Sequence, residues 1–320
     1  MELVWRTLTA ADTSVVAALH NAADAFDDLG DPRSEEEFGE ELAKPGLHDR
    51  SVGVAADGVL AAYGLFEPRD NPVGTQRIRL AGTVHPEFRR RGIGRRLLRR
   101  LTEMARDLHV ARHPTMPLAV CTMVDHRATG HRELAEQLGF RADRHFHDLE
   151  VALGESLAQV PVPAGYEVVP ATPSRDEELR LVCNEAFRGH WGSVDLSPRE
   201  WAESFTDSPR FVRDTSFLAL HEGAVVGFVL SRHYPVVEET TGVRELWIGD
   251  VGTLAPHRGR GVAAALLGRT LVQARAQGYQ RAGLSVDSIN PTGALGVYDR
   301  AGFGVVRTWT DYGLPVDLAG

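Results

Sequence analysis

One stretch of sequence occurs twice in this chain. Residues 84–98 read VHPEFRRRGIGRRLL, and residues 254–267 read LAPHRGRGVAAALL. Each copy follows an apolar, strand-like run and opens an amphipathic helix. Each holds an Arg, two further residues, and then Gly-x-Gly or Gly-x-Ala: Arg89, Gly92 and Gly94 in the first, Arg258, Gly261 and Ala263 in the second. A turn of small residues feeding a helix N-terminus leaves backbone N–H groups unpaired and converging, and the helix dipole adds partial positive charge. Such a turn suits a phosphate. Two copies point to a duplicated domain, each half shaped around a phosphorylated ligand.

The repeat extends beyond these turns. Residues 51–66 form two β-rich runs around Asp57-Gly58, and residues 216–231 repeat the pattern around Glu222-Gly223, both hairpin signals. Strands are expected at about 76–85 and 244–255, helices at about 92–108 and 260–277, and further strands at 118–124 and 282–288. A short helix then stops at Leu138-Gly139-Phe140 or Ala301-Gly302-Phe303, where Gly suits a left-handed C-terminal cap. A pair of strands is expected to close each half. Residues 154–165, GESLAQVPVPAG, have two prolines and no helical period, which marks a linker. The expected domains are therefore 1–153 and 165–320, joined by 154–164.

A length of 320 residues suits two domains of ordinary size. No run reaches the roughly 20 apolar residues of a membrane helix, and the opening MELVWRTLTAADTS is unlike a secretory signal. Cys121 and Cys183 fall in different halves, which argues against a disulfide framework and leads to the expectation of a cytoplasmic protein. No Cys/His cluster has metal-ligand spacing, so no metal is expected. A net charge of −9 disfavours a general nucleic-acid binder. The run RRRGIGRRLLRRL does not change that. Ile93, Leu97, Leu98, Leu101, Ala105 and Leu108 share one helical face, which leaves the arginines on a solvated face with some near the phosphate turn.

On these residues the chain resembles the GCN5-related N-acetyltransferase (GNAT) superfamily. The carrying motif is Arg/Gln-x-x-Gly-x-Gly/Ala between the fourth strand and third helix, present here as RRRGIG (89–94) and RGRGVA (258–263). The stretch LSVDSINPTGALGVYDRAGF (284–303) is similar to the family's fifth strand and fourth helix, with its Asn and Tyr. The resemblance implies an α/β (α+β) fold of two tandem GNAT domains, each a mixed, mostly antiparallel central sheet flanked by helices. It implies acetyl-CoA as donor. The CoA diphosphate would lie on the amides of Arg258, Gly259, Arg260, Gly261, Val262 and Ala263, or of Arg89, Arg91, Gly92, Ile93 and Gly94 in the first copy. A bulge is implied in the preceding strand, for which Gly249 and Gly252 are candidates. The pantetheine arm would run beside Val251, Thr253 and Leu254 and meet Asn290.

The family also implies that Tyr298 protonates the departing thiolate, a reasonable task for a phenol acting as general acid. Aligned on Gly-Phe, the first half has Ala135 in place of Tyr298 and Arg127 in place of Asn290. The first half is therefore expected to be catalytically degenerate. An alkyl ammonium has a pKa near about 10, so a base must remove its proton. Asp250 and Glu245 are the candidates on the fourth strand, with Asp250 favoured because it is nearer the turn. Strand alternation points them to opposite sides unless a bulge intervenes. A backbone N–H between Val251 and Thr253 would hold the oxyanion. His190 and Trp191, in FRGHWGS, are the acceptor-site candidates. One departure stands out: Pro86 is three steps from Arg89, but Pro256 is two from Arg258, which implies a shorter second turn. The expected function is direct acetyl transfer to a primary amine of a small molecule in a ternary complex. Acetylation of a thiol-cofactor precursor and a non-catalytic CoA sensor are the alternatives. Neither nucleic acid nor membrane is an expected partner.

Overall fold

The structure is a computed structural model and describes residues 2–68, 72, 74–154, 157, 160–191, 193, 195–289 and 293–318. The chain divides into two compact units, residues 1–145 with 308–320 and residues 146–307.

In chain order the first half contributes β1 (Leu3–Arg6), α1 (Thr13–Asp27), α2 (Glu35–Ala43), β2 (Ser51–Ala56), β3 (Val59–Phe66), β4 (Gln76–Val84), α3 (Ile93–Arg112), β5 (Leu118–Asp125), α4 (Thr129–Gln137) and β6 (Arg141–Ala152). The second contributes β7 (Tyr166–Pro170), α5 (Asp176–Phe187), α6 (Pro198–Trp201), β8 (Phe217–His221), β9 (Ala224–Arg232), α7 (Pro235–Thr241), β10 (Glu245–Thr253), α8 (Val262–Ala276), β11 (Arg281–Asp287), α9 (Ala294–Arg300) and β12 (Gly304–Val316).

The first unit holds a sheet ordered β1-β2-β3-β4-β5-β12, and the second a sheet ordered β7-β8-β9-β10-β11-β6. In each, one pair is parallel, β4 with β5 and β10 with β11, and the other pairs are antiparallel. The mixed, mostly antiparallel sheets flanked by helices are those expected.

The closing strands differ from expectation. Each half ends in one long strand, not a pair, and the C-terminal part of that strand belongs to the other half's unit. β12 pairs with β5 along Trp309–Val316, and β6 pairs with β11 along Phe146–Ala152. Residues 146–153 thus lie outside the unit of the first half, and 308–320 outside that of the second. The reason is physical: no turn signal breaks RADRHFHDLEVA into a hairpin, so each edge is covered by a strand from elsewhere in the chain.

The two hairpins match in detail. Asp57 and Gly58 have φ of 51° and 83°, and Glu222 and Gly223 have 51° and 82°, the paired positive values of a type I′ turn. In the second unit, α8 and α9 cover one sheet face through Leu246, Ile248, Leu284, Val262, Leu266 and Tyr298. The other face packs Leu218, Phe228 and Leu230 against Leu179 and Cys183 of α5 and against Trp201. Each such buried side chain stabilises the unit by about 2 kcal/mol through removal from water. Both cysteines are free and buried.

Candidate active site

The phosphate turns have the same backbone. A short 3-10 turn, Pro86–Phe88 or Ala255–His257, leads to Arg89 or Arg258 in extended conformation. Arg90 (φ 60°) corresponds to Gly259 (φ 72°), and Gly92 (φ 76°) to Gly261 (φ 84°). The expected shortening of the second turn is not found: Ala255 stands where Pro86 stands, and proline has moved from the first to the second position of an equal turn. Gly261, at the N-cap, has no side chain with which to cap the helix, and the first helical bond runs from Ala265 N–H to the Gly261 carbonyl. Val262, Ala263 and Ala264 therefore present amides with no intrahelical acceptor. The Val262 side chain is buried, as is that of Ile93 in the first unit, so both can serve a ligand only through backbone. In the first turn Gly94 packs near Leu134, and the Arg91 guanidinium bonds the Glu87 carbonyl.

The motif arginines are structural ties. Arg89 donates to the Val84 carbonyl and, with both terminal nitrogens, to Asp27. Arg258 donates to the Thr253 carbonyl at 2.9 Å and to the Ala186 carbonyl at 2.9 Å. Each lashes its turn to the preceding strand end and to the end of the unit's first helix. Arg260 remains exposed on the turn.

Ahead of the turn, β10 and β11 pair only from Glu245/Arg281 to Ile248/Leu284. The register of β10 against β9 then slips between Ile248 and Asp250, which makes Gly249 the bulge residue. Past the bulge, Leu254 N–H bonds the Val226 carbonyl on β9. By alternation Gly252 also faces β9, while the amides of Val251 and Thr253 face the side β11 has left. An opening between the strands is thus lined by free backbone donors.

The bulge also decides side-chain direction. Trp247 sits opposite Arg232 and Asp250 opposite Leu230, and Arg232 and Leu230 share a face. Glu245, Trp247 and Asp250 therefore all lie on the α5 face. Asp250 is 3.4 Å from Nη1 of Arg232, and its side chain keeps 27% of its surface exposed. Burial raises its pKa, and the Arg232 charge opposes that rise. Tyr298 lies among the apolar residues of the opposite face. Burial and the Asp250 charge push its phenol up to about 12. The two groups flank the opening from opposite sides.

Glu245 does not join them. It stands at the far end of β10 beside Arg281, which also pairs with Glu150 on β6 at 3.0 Å. His190 rests edge-on against Phe187, which meets Phe228. The Phe228 ring covers Gly252, where a Cβ would lie 2.3 Å from Cζ. Trp191 meets Phe146 of β6, with ring centroids 5.9 Å apart. The loop after α5 thus packs on Phe187 through His190 and on β6 through Trp191. Asn290 lies outside the described residues.

The first unit keeps the turn but not the chemistry. Leu65 and Leu230 each stand seven residues beyond a matching hairpin glycine, and they face Ala81 and Asp250. Ala81 thus holds the place of Asp250, as Ala135 holds that of Tyr298. Among the described residues β4 shows no register slip against β3. Arg127 bonds Asp125 and the Leu29 carbonyl, so it runs from the end of β5 to just past α1, which packs on β4. Ala81 and Arg232 escape sequence inspection, because strand register, not spacing, brings them to notice.

The acetyltransferase (GNAT) family matches residues 17–140 and again residues 177–303. A mycothiol acetyltransferase from Salinispora arenicola is 32% identical over 259 residues, covering 78% of this chain and 76% of that protein. The mycothiol acetyltransferase of Geodermatophilus obscurus is 31% identical over 307 residues, 92% of each chain. The crystal structure of a GCN5-related N-acetyltransferase from Sphaerobacter thermophilus matches with a TM-score of 0.78 at 27% identity, over 98% of this chain and 95% of that one. Among the described residues no helix is long and apolar enough to cross a membrane.

Proposed function

The chain belongs to the GNAT acetyltransferase family, and from that premise we propose that residues 146–307 transfer acetyl from acetyl-CoA to the primary amine of a small molecule. That it is an acetyltransferase follows from the family and its relatives. The residues present suit the donor. Unpaired amides at Val262, Ala263 and Ala264, beside a glycine without a side chain, fit a diphosphate. The parted strands with inward amides at Val251 and Thr253 fit an extended arm that bonds like a strand.

Acetyl-CoA supplies an activated acyl thioester. Asp250 accepts a proton from the acceptor ammonium, directly or through water, and so frees the nitrogen lone pair for attack on the carbonyl. The Val251 amide donates to the oxygen that becomes negative. Tyr298, protonated at neutral pH, gives its proton to the thiolate as the carbon–sulfur bond breaks. The attacking nitrogen loses its second proton as the intermediate collapses, and that proton passes through water to the phenolate, while the proton held by Asp250 is released to solvent. Glu245, held by Arg281, has no part in this sequence.

The Gly249 bulge carries the reading, because it turns Asp250 onto the face of the opening across from Tyr298. The test is thiol release from acetyl-CoA over a panel of amines, with D250N and Y298F alongside wild type. Full rates in both variants would overturn it. A narrower acceptor is favoured by similarity to mycothiol acetyltransferases along 92% of the chain. On that reading the amine belongs to the unacetylated mycothiol precursor. Equal activity with and without that precursor in the panel would count against it.

A further inference from the structure

We propose that Arg232 is the positioning residue for Asp250, and that the glycine at the bulge exists to let its guanidinium reach that carboxylate. This rests on the reading of Asp250 as the base.

Arg232 ends β9, opposite Trp247, and Asp250 follows the bulge opposite Leu230. The two residues are thus on one face but not in direct register, and the arginine must pass over residue 249 to reach the carboxylate. A Cβ built on Gly249 would lie 2.1 Å from Nη1 of Arg232 and 3.1 Å from Cζ. No side chain fits there while the guanidinium keeps its place. The planar group is fixed from a second side by Phe205, whose ring centroid is 4.8 Å from Cζ. Phe205 is itself buried in the cluster under α5. Arg232 is therefore clamped between an aromatic ring and a bare stretch of backbone, with one edge 3.4 Å from Asp250.

Clamping matters because of what else surrounds Asp250. Cys183 approaches from α5, and Tyr298 lies across the opening on α9; neither is cationic at neutral pH. Arg232 is the cation among the groups that act on Asp250. Removing a carboxylate from water favours its neutral form, and a nearby guanidinium restores the charged one. A base must be ionised before it can take a proton, so the arginine keeps the carboxylate ready. A rigid planar cation does this with less loss of order than a flexible ammonium.

The experiment is the pH profile of kcat/KM at saturating acetyl-CoA for wild type, R232M, R232K, G249A and D250N. In R232M the acid limb moves to higher pH. Activity at pH 6.5 falls about tenfold, while the high-pH plateau stays within about twofold. G249A reproduces that displacement although residue 249 carries no charge. R232K restores part of it. An arginine that merely packs on Phe205 would lower the melting temperature and leave the limb where it was. Limbs unmoved in both R232M and G249A, with the limb abolished in D250N, overturn the role of Arg232 and leave Asp250 as base. A normal limb in D250N overturns the base itself. If G249A fails to fold, R232M and R232K alone decide by charge.

Discussion

Ala81 occupies, opposite Leu65 in the first unit, the strand position that Asp250 occupies opposite Leu230 in the second. A methyl group replaces a carboxylate at one equivalent site, and Ala135 replaces Tyr298 at the other. A unit without either proton-transfer group has no route through the chemistry proposed for its counterpart, even though its phosphate turn keeps the same backbone.

Equal lesions in the two turns should therefore have unequal effects. Gly261 and Gly92 have φ of 84° and 76°, where a β-branched residue is strained by about 1–3 kcal/mol. G261V should raise the KM for acetyl-CoA more than about tenfold, whereas G92V should leave turnover within about twofold. Steady-state kinetics on both variants checks this, and the opposite ranking would move catalysis to the first unit.

Tyr298 should act on rate, not on donor binding. Y298F should lower kcat by about a hundredfold, the usual scale for losing a general acid. The Kd for CoA by calorimetry should change by less than about twofold, because the ring is retained. Adding A135Y to the first unit of that variant should recover nothing, since Ala81 offers no base beside it.

Gly252 should tolerate no side chain. A methyl there would lie 2.3 Å from Cζ of Phe228, a ring with no exposed surface. G252A should cost about 1–3 kcal/mol of stability by overpacking. Because Phe228 meets Phe187, which carries His190, the KM for the acceptor should rise as well. Thermal melts and acceptor titrations measure the two effects.

A pH effect on folding should come from His131. It bonds Thr122 at 3.2 Å, and burial lowers its pKa from 6.5 to about 4, with the charge of Asp27 opposing. The unfolded chain takes up this proton at higher pH than the folded one. Stability from this group is therefore complete above pH 6.5 and is lost as pH falls toward 4, by about 3 kcal/mol. Urea unfolding at pH 7 and pH 4.5 should show that loss in wild type, and a smaller one in H131Q.

Much of this was legible in the sequence wherever chemistry is local. The hairpins at Asp57-Gly58 and Glu222-Gly223 and the phosphate turns each depend on a left-handed backbone that few residues adopt, and glycines inside a strand, Gly249 and Gly252, mark where a bulge can lie, which the structure puts at Gly249. Those residues announce it. The turn length was misjudged because proline fits either of the first two positions of a 3-10 turn, so counting from Pro86 and Pro256 compared different sites. Arg232 and Ala81 were invisible for another reason. Which residues face each other across strands depends on register, and one bulge resets the count. The exchange of β6 and β12 was hidden more deeply, since an amphipathic strand carries no mark of which sheet will accept it.

That exchange sets the order in which the polypeptide can mature. The unit that begins at the N-terminus is not complete until residues 309–316 have been synthesised and have paired with β5. On the ribosome it must wait, with the β5 edge bare, while the rest of the chain emerges. Synthesis of β12, not translation of the first half, is what closes it.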